Sequence, residues 1–221
     1  MATMTKDEAL SIAGSLSEPS KLPGYSYGLP AEECITGSKL VNVEGSTCHN
    51  CYALKGMYTT FRYVIKPAQY KRLAGIVHKD WVTAMVTLIK TASHKGNILK
   101  TPYFRWHDSG DLQSLDHLKR IALIACELPQ VKFWLPTREY GIVKDYLARY
   151  RAFPENLIVR LSAHKIDGPM PDIGRLPVSG VHTTETSPET FVCPSRAQGN
   201  QCLDCRACWN PEVKTVSYHL H

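Results

Sequence analysis

Residues 103–135 read Y-F-R-W-H-D-S-G-D-L-Q-S-L-D-H-L-K-R-I-A-L-I-A-C-E-L-P-Q-V-K-F-W-L. Tyr103 to His107 is short, aromatic and followed by turn formers, which predicts a strand. Asp108-Ser109-Gly110-Asp111 is then a polar loop. Leu115 to Glu127 has helical spacing, with Leu118, Ile121, Ala122 and Ala125 on one face and Pro129 just beyond. Val131 to Leu135 predicts the next strand. Strand, polar loop, helix, strand is the pattern of a βα unit with parallel strands.

The rhythm continues on both sides. Downstream come Thr137-Arg138-Glu139, a helix from Tyr140 to Tyr150, and a strand from Leu157 to Leu161 ending at Ser162-Ala163-His164. A Pro- and Gly-rich stretch, 168–177, precedes another short strand at Ser179 to Thr183. Upstream, Tyr25 to Leu29 predicts a strand with Cys34 just after it. Gly37 to Thr47 reads as a loop with a brief strand at Leu40 to Val43. Cys51-Tyr52-Ala53-Leu54 then starts a helix whose N-terminus favours thiolate charge. Pro67 opens a further helix at its first position. Its stripe of Tyr70, Leu73, Val77, Trp81, Ala84, Met85, Leu88 and Ile89 reads as core, with Gly96-Asn97 as the stop. His78 and His94 read as surface or satisfied histidines. Thr5-Lys6-Asp7-Glu8 is a capping box opening a first helix that ends near Gly14. About five or six βα units result, fewer than the eight of a closed barrel. The expected fold is α/β, an incomplete TIM-barrel-like arrangement of parallel strands. Residues 1–24 form an N-terminal helix and connector. Residues 25–221 form one domain that includes a cysteine-rich C-terminal segment, 193–209.

Composition excludes several classes. The 221 residues are 43% apolar and 21% charged, which argues against disorder. No apolar run is long enough for a bilayer, and the N-terminus lacks the basic-then-apolar order of a signal peptide. The expectation is a cytoplasmic protein without a membrane partner. The net charge of +6 is modest. Arg105, Arg138, Arg160, Arg196 and Arg206 are scattered, without the interleaved aromatics of an RNA platform, so the pattern argues against nucleic acid.

Seven of the eight cysteines fall in two stretches: Cys34, Cys48 and Cys51, then Cys193, Cys202, Cys205 and Cys208. In the second stretch two C-x-x-C steps share Cys205. Such spacing turns neighbouring thiolates toward one ion or cluster. Disulfides would also suit an even count, but a reducing compartment and metal-like spacing favour ligation. Zinc needs four soft ligands, which the second stretch supplies locally. A 4Fe–4S cluster uses thiolates in the same way. One shared cluster and two separate ones both remain open. Trp209 is expected to shield the cluster, Cys126 to be a small core residue, and His219 and His221 to be a frayed tail.

Polar residues just after strand ends line the active face of such folds. Here they are Cys34, His107 to Asp111, Thr137-Arg138-Glu139 and Ser162-Ala163-His164. The catalytic candidates are His107, Asp108, Ser109, Asp111 and Arg138, since Arg suits bidentate carboxylate capture. The bland alternative makes Asp111 a cap of the following helix. A hydrolase or lyase reading would use an open iron as Lewis acid with His107, Asp108, Ser109 and His164, although G-x-S-x-G is absent. A third reading is a zinc- or cluster-stapled binding module without catalysis.

A first strand, a three-cysteine loop ending C-x-x-C-Y and then a helix resembles the start of the radical-SAM superfamily. The resemblance implies that Cys34, Cys48 and Cys51 hold three irons of a 4Fe–4S cluster. The fourth iron would be open to the amino and carboxylate groups of S-adenosylmethionine. Ser109-Gly110-Asp111 is similar in place to the Gly-Gly-Glu type motif that contacts the methionine amine there, with aspartate for glutamate. The superfamily spacing is usually C-x-x-x-C-x-x-C, whereas thirteen residues separate Cys34 from Cys48. Loop-closure cost grows slowly with length, so that loop can still close. C-x-x-C-Y-A-L-K-G-x-Y, R-W-H-D-S-G-D and C-x-x-C-x-x-C-W together more closely resemble an uncharacterised bacteriophage-encoded iron–sulfur protein family, from Cys34 to the C-terminus. That resemblance places the protein in the host cell cytoplasm. The iron–sulfur, radical-SAM-like reading implies one or two 4Fe–4S clusters, a small-molecule substrate at the cluster face, and an electron donor such as a ferredoxin or flavodoxin. The terminal cysteines would hold an auxiliary cluster or close over the first.

Overall fold

The computed structural model describes residues 4–92, 102–184 and 186–220. His94, Gly96-Asn97 and His221 lie outside the described residues. Seven strands form one sheet: β1 (Ser26–Tyr27), β2 (Tyr103–Trp106), β3 (Lys132–Thr137), β4 (Leu157–Ile166), β5 (Val178–His182), β6 (Phe191–Val192) and β7 (Thr215–His219). Their spatial order is β1-β2-β3-β4-β5-β7-β6, and every pair is parallel. The order climbs steadily from β1 to β5. Right-handed crossovers that always step the same way keep their helices on one face, as in a barrel wall. The expected α/β class with parallel strands therefore holds, and the open sheet is compatible with an incomplete barrel.

The helices are α1 (Lys6–Ala13), α2 (Ile35–Leu40), α3 (Met57–Thr60), α4 (Arg62–Gly75), α5 (Trp81–Thr91), α6 (Leu115–Glu127) and α7 (Tyr140–Tyr150). The capping box closes α1, since Thr5 Oγ1 accepts from Glu8 N and the Glu8 carboxylate accepts from Thr5 N. Ala9 and Ala13 of α1 are fully buried in the same core as Trp81, Trp106, Phe104 and Phe133. Tyr27 reaches back to donate to the Ala13 carbonyl at 2.6 Å. Ring pairs between 5.0 and 6.2 Å link Phe104, Trp106 and Phe133, an arrangement that adds to simple area burial.

Alternation along the strands separates two faces. Phe104, Phe133, Leu135, Leu157, Val159 and Leu161 join the helix-side core. Trp134 faces the other way, into a small cluster with Leu22 and Trp209 that Tyr103 and Tyr218 border. The chain after β6 lies on this second face.

Several sequence expectations change. Leu40 to Val43 is no strand: α2 runs to Leu40 and a turn follows. Pro67 sits inside α4, where its missing bond falls on a turn carrying the exposed Tyr63 and Val64. The long apolar stripe spans two helices. Val77 lies in the turn between them and is 76% exposed, while Trp81, Ala84, Met85, Leu88 and Ile89 are buried as expected. Ser162, Ala163 and His164 belong to β4 rather than to a loop after it. His219 is the last residue of β7, its ring 4.3 Å from that of His182, and is not a frayed end. Cys126 is exposed on α6 rather than in the core. Ser114, not Asp111, caps α6, accepting from His117 N at 3.1 Å.

Candidate metal centre

The first cysteine group sits where the loops after β1, β2 and β3 meet. Cys34 lies between the short turn Ala31–Glu33 and α2, and Cys51 caps the turn Tyr52–Leu54. Thr47, beside Cys48, donates its N–H to the His164 carbonyl at 2.9 Å and its hydroxyl to the Ala163 carbonyl at 3.0 Å. Those bonds fasten the long Cys34–Cys48 loop to β4. Gly37 leaves the room: a Cβ there would stand 2.8 Å from Cys34 Cβ, 3.5 Å from Cys34 Sγ and 3.7 Å from Cys48 Sγ. The sulfurs thus lie under one bare point of α2. Burial pushes the Cys34 thiol well up, and the neighbouring Asp111, Cys51, Cys48 and Glu139 add to it. Burial also raises Cys48, while the Arg138 guanidinium pulls the other way.

The second group lies on the opposite face from the helices. Cys193 follows β6, its N–H donating to the Ser217 carbonyl of β7 at 2.8 Å. Cys202 N–H donates to the Lys21 carbonyl at 2.9 Å. Cys208 Sγ stands 3.2 Å from the Tyr218 hydroxyl, and Cys193 Sγ donates to Ser195 Oγ at 3.3 Å. Trp209 is buried, donates its indole N–H to the Phe104 carbonyl at 2.9 Å, and packs with Cys202 and Cys208. Burial, followed by the neighbouring Cys193 and Cys205, raises Cys202. Burial pushes Cys208 up to about 12, with Cys193 again adding to it. Arg160 anchors the segment. It is fully buried and donates to the carbonyls of Val178, Lys214, Ala207, Asn210 and Val213 at 2.9–3.3 Å.

A polar bridge runs between the groups. Tyr52, next to Cys51, donates to the Asp108 carbonyl, and Arg105 Nη2 reaches the Tyr52 hydroxyl at 3.5 Å. Lys21 Nζ lies 5.8 Å from the Tyr52 ring centre. Asp108 Oδ1 accepts from Ser26 at 2.8 Å and Oδ2 from Tyr58 at 3.1 Å. Gly28 permits this approach, since a Cβ there would meet Asp108 Oδ1 at 2.7 Å.

The remaining candidates divide. Asp111 is buried beside Cys34, and its carboxylate accepts from Thr137 Oγ1 at 2.6 Å, Leu112 N at 2.7 Å and Arg138 N at 2.9 Å. Burial raises it to about 6 against those bonds. It pins the β2 and β3 loops together. Glu139, equally buried, accepts from Thr36 N and Oγ1 at 2.8 Å and so fixes the start of α2. Arg138 Nε donates to Thr47 Oγ1 at 3.0 Å, next to Cys48. His164 stacks on Tyr140 at 4.4 Å. Ser109 is not brought to the thiols. It is 3% exposed, donates to the Leu29 carbonyl at 2.7 Å and accepts from Gln69 at 3.0 Å. His107 also points away, into the core against His117, with ring centres 5.4 Å apart. Burial holds its pKa well below the usual histidine value. Sequence reasoning missed Lys21, Tyr52, Tyr58 and Tyr218 as site neighbours. Tyr52 was findable, since it follows Cys51 directly.

All eight cysteines are free thiols. Among the described residues, no group of three or more His, Cys, Asp or Glu side chains is arranged to hold a single metal ion. The donor chemistry of the two groups still fits thiolate-bound centres. The first supplies three thiols and the second four, tied to the sheet by backbone bonds, and around the first Gly37 leaves space beside two of the sulfurs.

Fold and site define an α/β protein with an all-parallel open sheet and two cysteine groups, one at the loop end and one beside Trp134 and Trp209 on the other face. The model of the gene product 88 family (GP88) matches residues 2–211, and the chain belongs to that family, one of phage type whose description names no activity. No curated protein and no solved structure matches the chain. Among the described residues, no helix is long and apolar enough to cross a membrane.

Proposed function

We propose that this is an iron–sulfur protein with a radical-SAM-like barrel. Cys34, Cys48 and Cys51 would hold one 4Fe–4S cluster, and Cys193, Cys202, Cys205 and Cys208 a second. The observation that carries the reading is the pair of free-thiol groups on an all-parallel sheet ordered β1 to β5. Such a cluster supplies one-electron reduction at low potential, and three thiolates leave one iron without a protein ligand. The protein is accordingly an enzyme acting on a small substrate at the loop face.

Its own residues have definable parts in this. Arg138 sits beside Cys48 and is suited to a carboxylate on a small ligand. Asp111 and Glu139 position the loops that carry Arg138 and α2, and Asp111 acts as a pin because its carboxylate is occupied by three donors. Asp108 is the carboxylate nearest the bridge, held by Ser26 and Tyr58. The hydrolytic reading loses support because the Ser109 hydroxyl is buried and engaged at both its donor and its acceptor.

Two measurements test the reading. Cys34→Ser and Cys205→Ser should each remove about half the iron of the anaerobically prepared protein. Adding S-adenosylmethionine to the reduced protein should change the EPR signal lost in Cys34→Ser and leave the other untouched. Loss of all or none of the iron in both variants would count against two clusters. An unchanged spectrum would remove the radical-SAM part while leaving the iron–sulfur part.

A further inference from the structure

The two cysteine groups sit in opposite electrostatic surroundings. Around Cys34 and Cys48 stand the buried carboxyl groups of Asp111 and Glu139, opposed by Arg138. Around the second group stand four cations. Lys21 feels Cys202 and Cys193, Arg105 and Arg206 act on Cys202, and Arg160 and Arg105 act on Cys208. Asp108 faces Lys21 and Arg105, and Asp204 lies exposed in the loop between Cys202 and Cys205.

Among the described residues, Lys21, Arg105 and Arg160 make no ion pair within 4.0 Å. The buried Nε atoms of Arg105 and Arg160 have no hydrogen-bond partner. Arg105 stacks on Trp134 at 4.5 Å, and Arg206 stacks on Tyr103 at 5.0 Å. The Arg105 and Arg160 guanidinium groups, of which Arg105 has Asp108 facing it, keep buried unpartnered nitrogens that are costly unless further negative charge lies close by. Neutral thiols would not supply it, whereas thiolates around a metal centre would. A hydroxyl adds to this, because Tyr218 stands 3.2 Å from Cys208 Sγ and can donate to a thiolate there.

We propose that Lys21, Arg105 and Arg206 are positioning residues that raise the reduction potential of the C-terminal centre above that of the Cys34/Cys48/Cys51 centre. The inference rests on the two-cluster reading above. The physical reason is that each reduction adds one electron and no atom, so positive charge and hydrogen bonds at the sulfurs favour the reduced state, while nearby carboxylates oppose it. A low-potential one-electron donor would therefore fill the C-terminal centre first. Tyr52 and Arg105 lie between that centre and Cys51.

The test is a redox titration of the anaerobically reconstituted full chain, followed by EPR and visible absorption after iron and sulfide have been measured. The wild type should show two reductive steps, and the higher one should be the step missing in Cys205→Ser. Arg105→Met and Lys21→Met should each lower that step and leave the other in place, and Arg105→Lys should restore most of it. Glu139→Gln should raise the lower step instead. Thermal unfolding of each variant separates a shifted potential from a lost fold, and the Arg105→Lys and Glu139→Gln results stand even if one methionine variant fails to fold. Two clusters with equal potentials, or with the higher step missing in Cys34→Ser, would overturn this inference and leave the cluster reading intact. Absence of iron and sulfide would overturn both.

Discussion

Gly37 shows how far a single residue constrains the site. Alanine is normally the better helix former by about 1 kcal/mol. At position 37, however, its Cβ would press to 2.8 Å from Cys34 Cβ, directly above two sulfurs. Gly37→Ala should therefore displace Cys34 and reduce the iron bound at the first group, read as iron per chain, while far-UV circular dichroism stays unchanged. Iron content equal to wild type would mean that the sulfurs need not stay under that helix. The cysteines and Asp108 were legible in the sequence because their residue types and spacing carry chemistry. Lys21, Tyr58 and Tyr218 were not, because a cation or hydroxyl distant in sequence becomes a site neighbour only through folding. Asp111 was seen in the right place, but its occupation by Leu112, Thr137 and Arg138 depends on β2 and β3 lying side by side.

Among the elements, β4 and the segment after β6 are joined through Arg160. Its guanidinium satisfies five carbonyls, four of them in the segment after β6 at Ala207, Asn210, Val213 and Lys214. Arg160→Met should leave those carbonyls unpaired and cost about 3 kcal/mol or more. The expected readout is a lower urea midpoint together with new protease cleavage between residues 193 and 213. A loss of stability without new cleavage would mean that the segment is held by Trp209 alone. At this scale α6 and α7 were readable to the residue, because apolar periodicity is clear there, although the cap of α6 is Ser114 rather than Asp111. The break between α4 and α5 was hidden because Val77 continues the apolar stripe while lying in an exposed turn. Strands β6 and β7 were missed for a different reason. Phe191-Val192 is too short for any alternation, and β7 ends on two histidines that resemble a tail.

Across the whole molecule, two buried histidines should set the acid limit of stability. His117 is depressed by burial to about 3, and His107 lies well below its usual value for the same reason. Unfolding returns both to about 6.5, so below that pH the unfolded chain binds more protons than the folded one. Stability should fall as pH drops through 6.5, by up to roughly 1.4 kcal/mol per pH unit for each histidine. Asp111, raised to about 6, works in the opposite sense between 6 and its ordinary value, but one carboxyl does not offset two imidazoles. The melting temperature should thus decline steadily from pH 7 to 5, and His117→Gln should flatten the decline. A melting temperature that rises toward pH 5 would contradict the burial of both rings. The overall architecture was legible because repeated strand–loop–helix units dictate a parallel sheet, although no helix separates β4 from β5 where the expected rhythm would have placed one. The face of the sheet that receives the chain after β6, and with it the second cysteine group, was not, since β6 and β7 carry no strand signal.

Iron, acid-labile sulfide and zinc measured on the anaerobically purified chain decide whether the two cysteine groups hold clusters. Two 4Fe–4S clusters predict about eight iron and eight sulfide per chain, with little zinc. Stoichiometric zinc without sulfide, persisting after anaerobic reconstitution with iron and sulfide, would contradict the account and leave a zinc-stapled α/β domain.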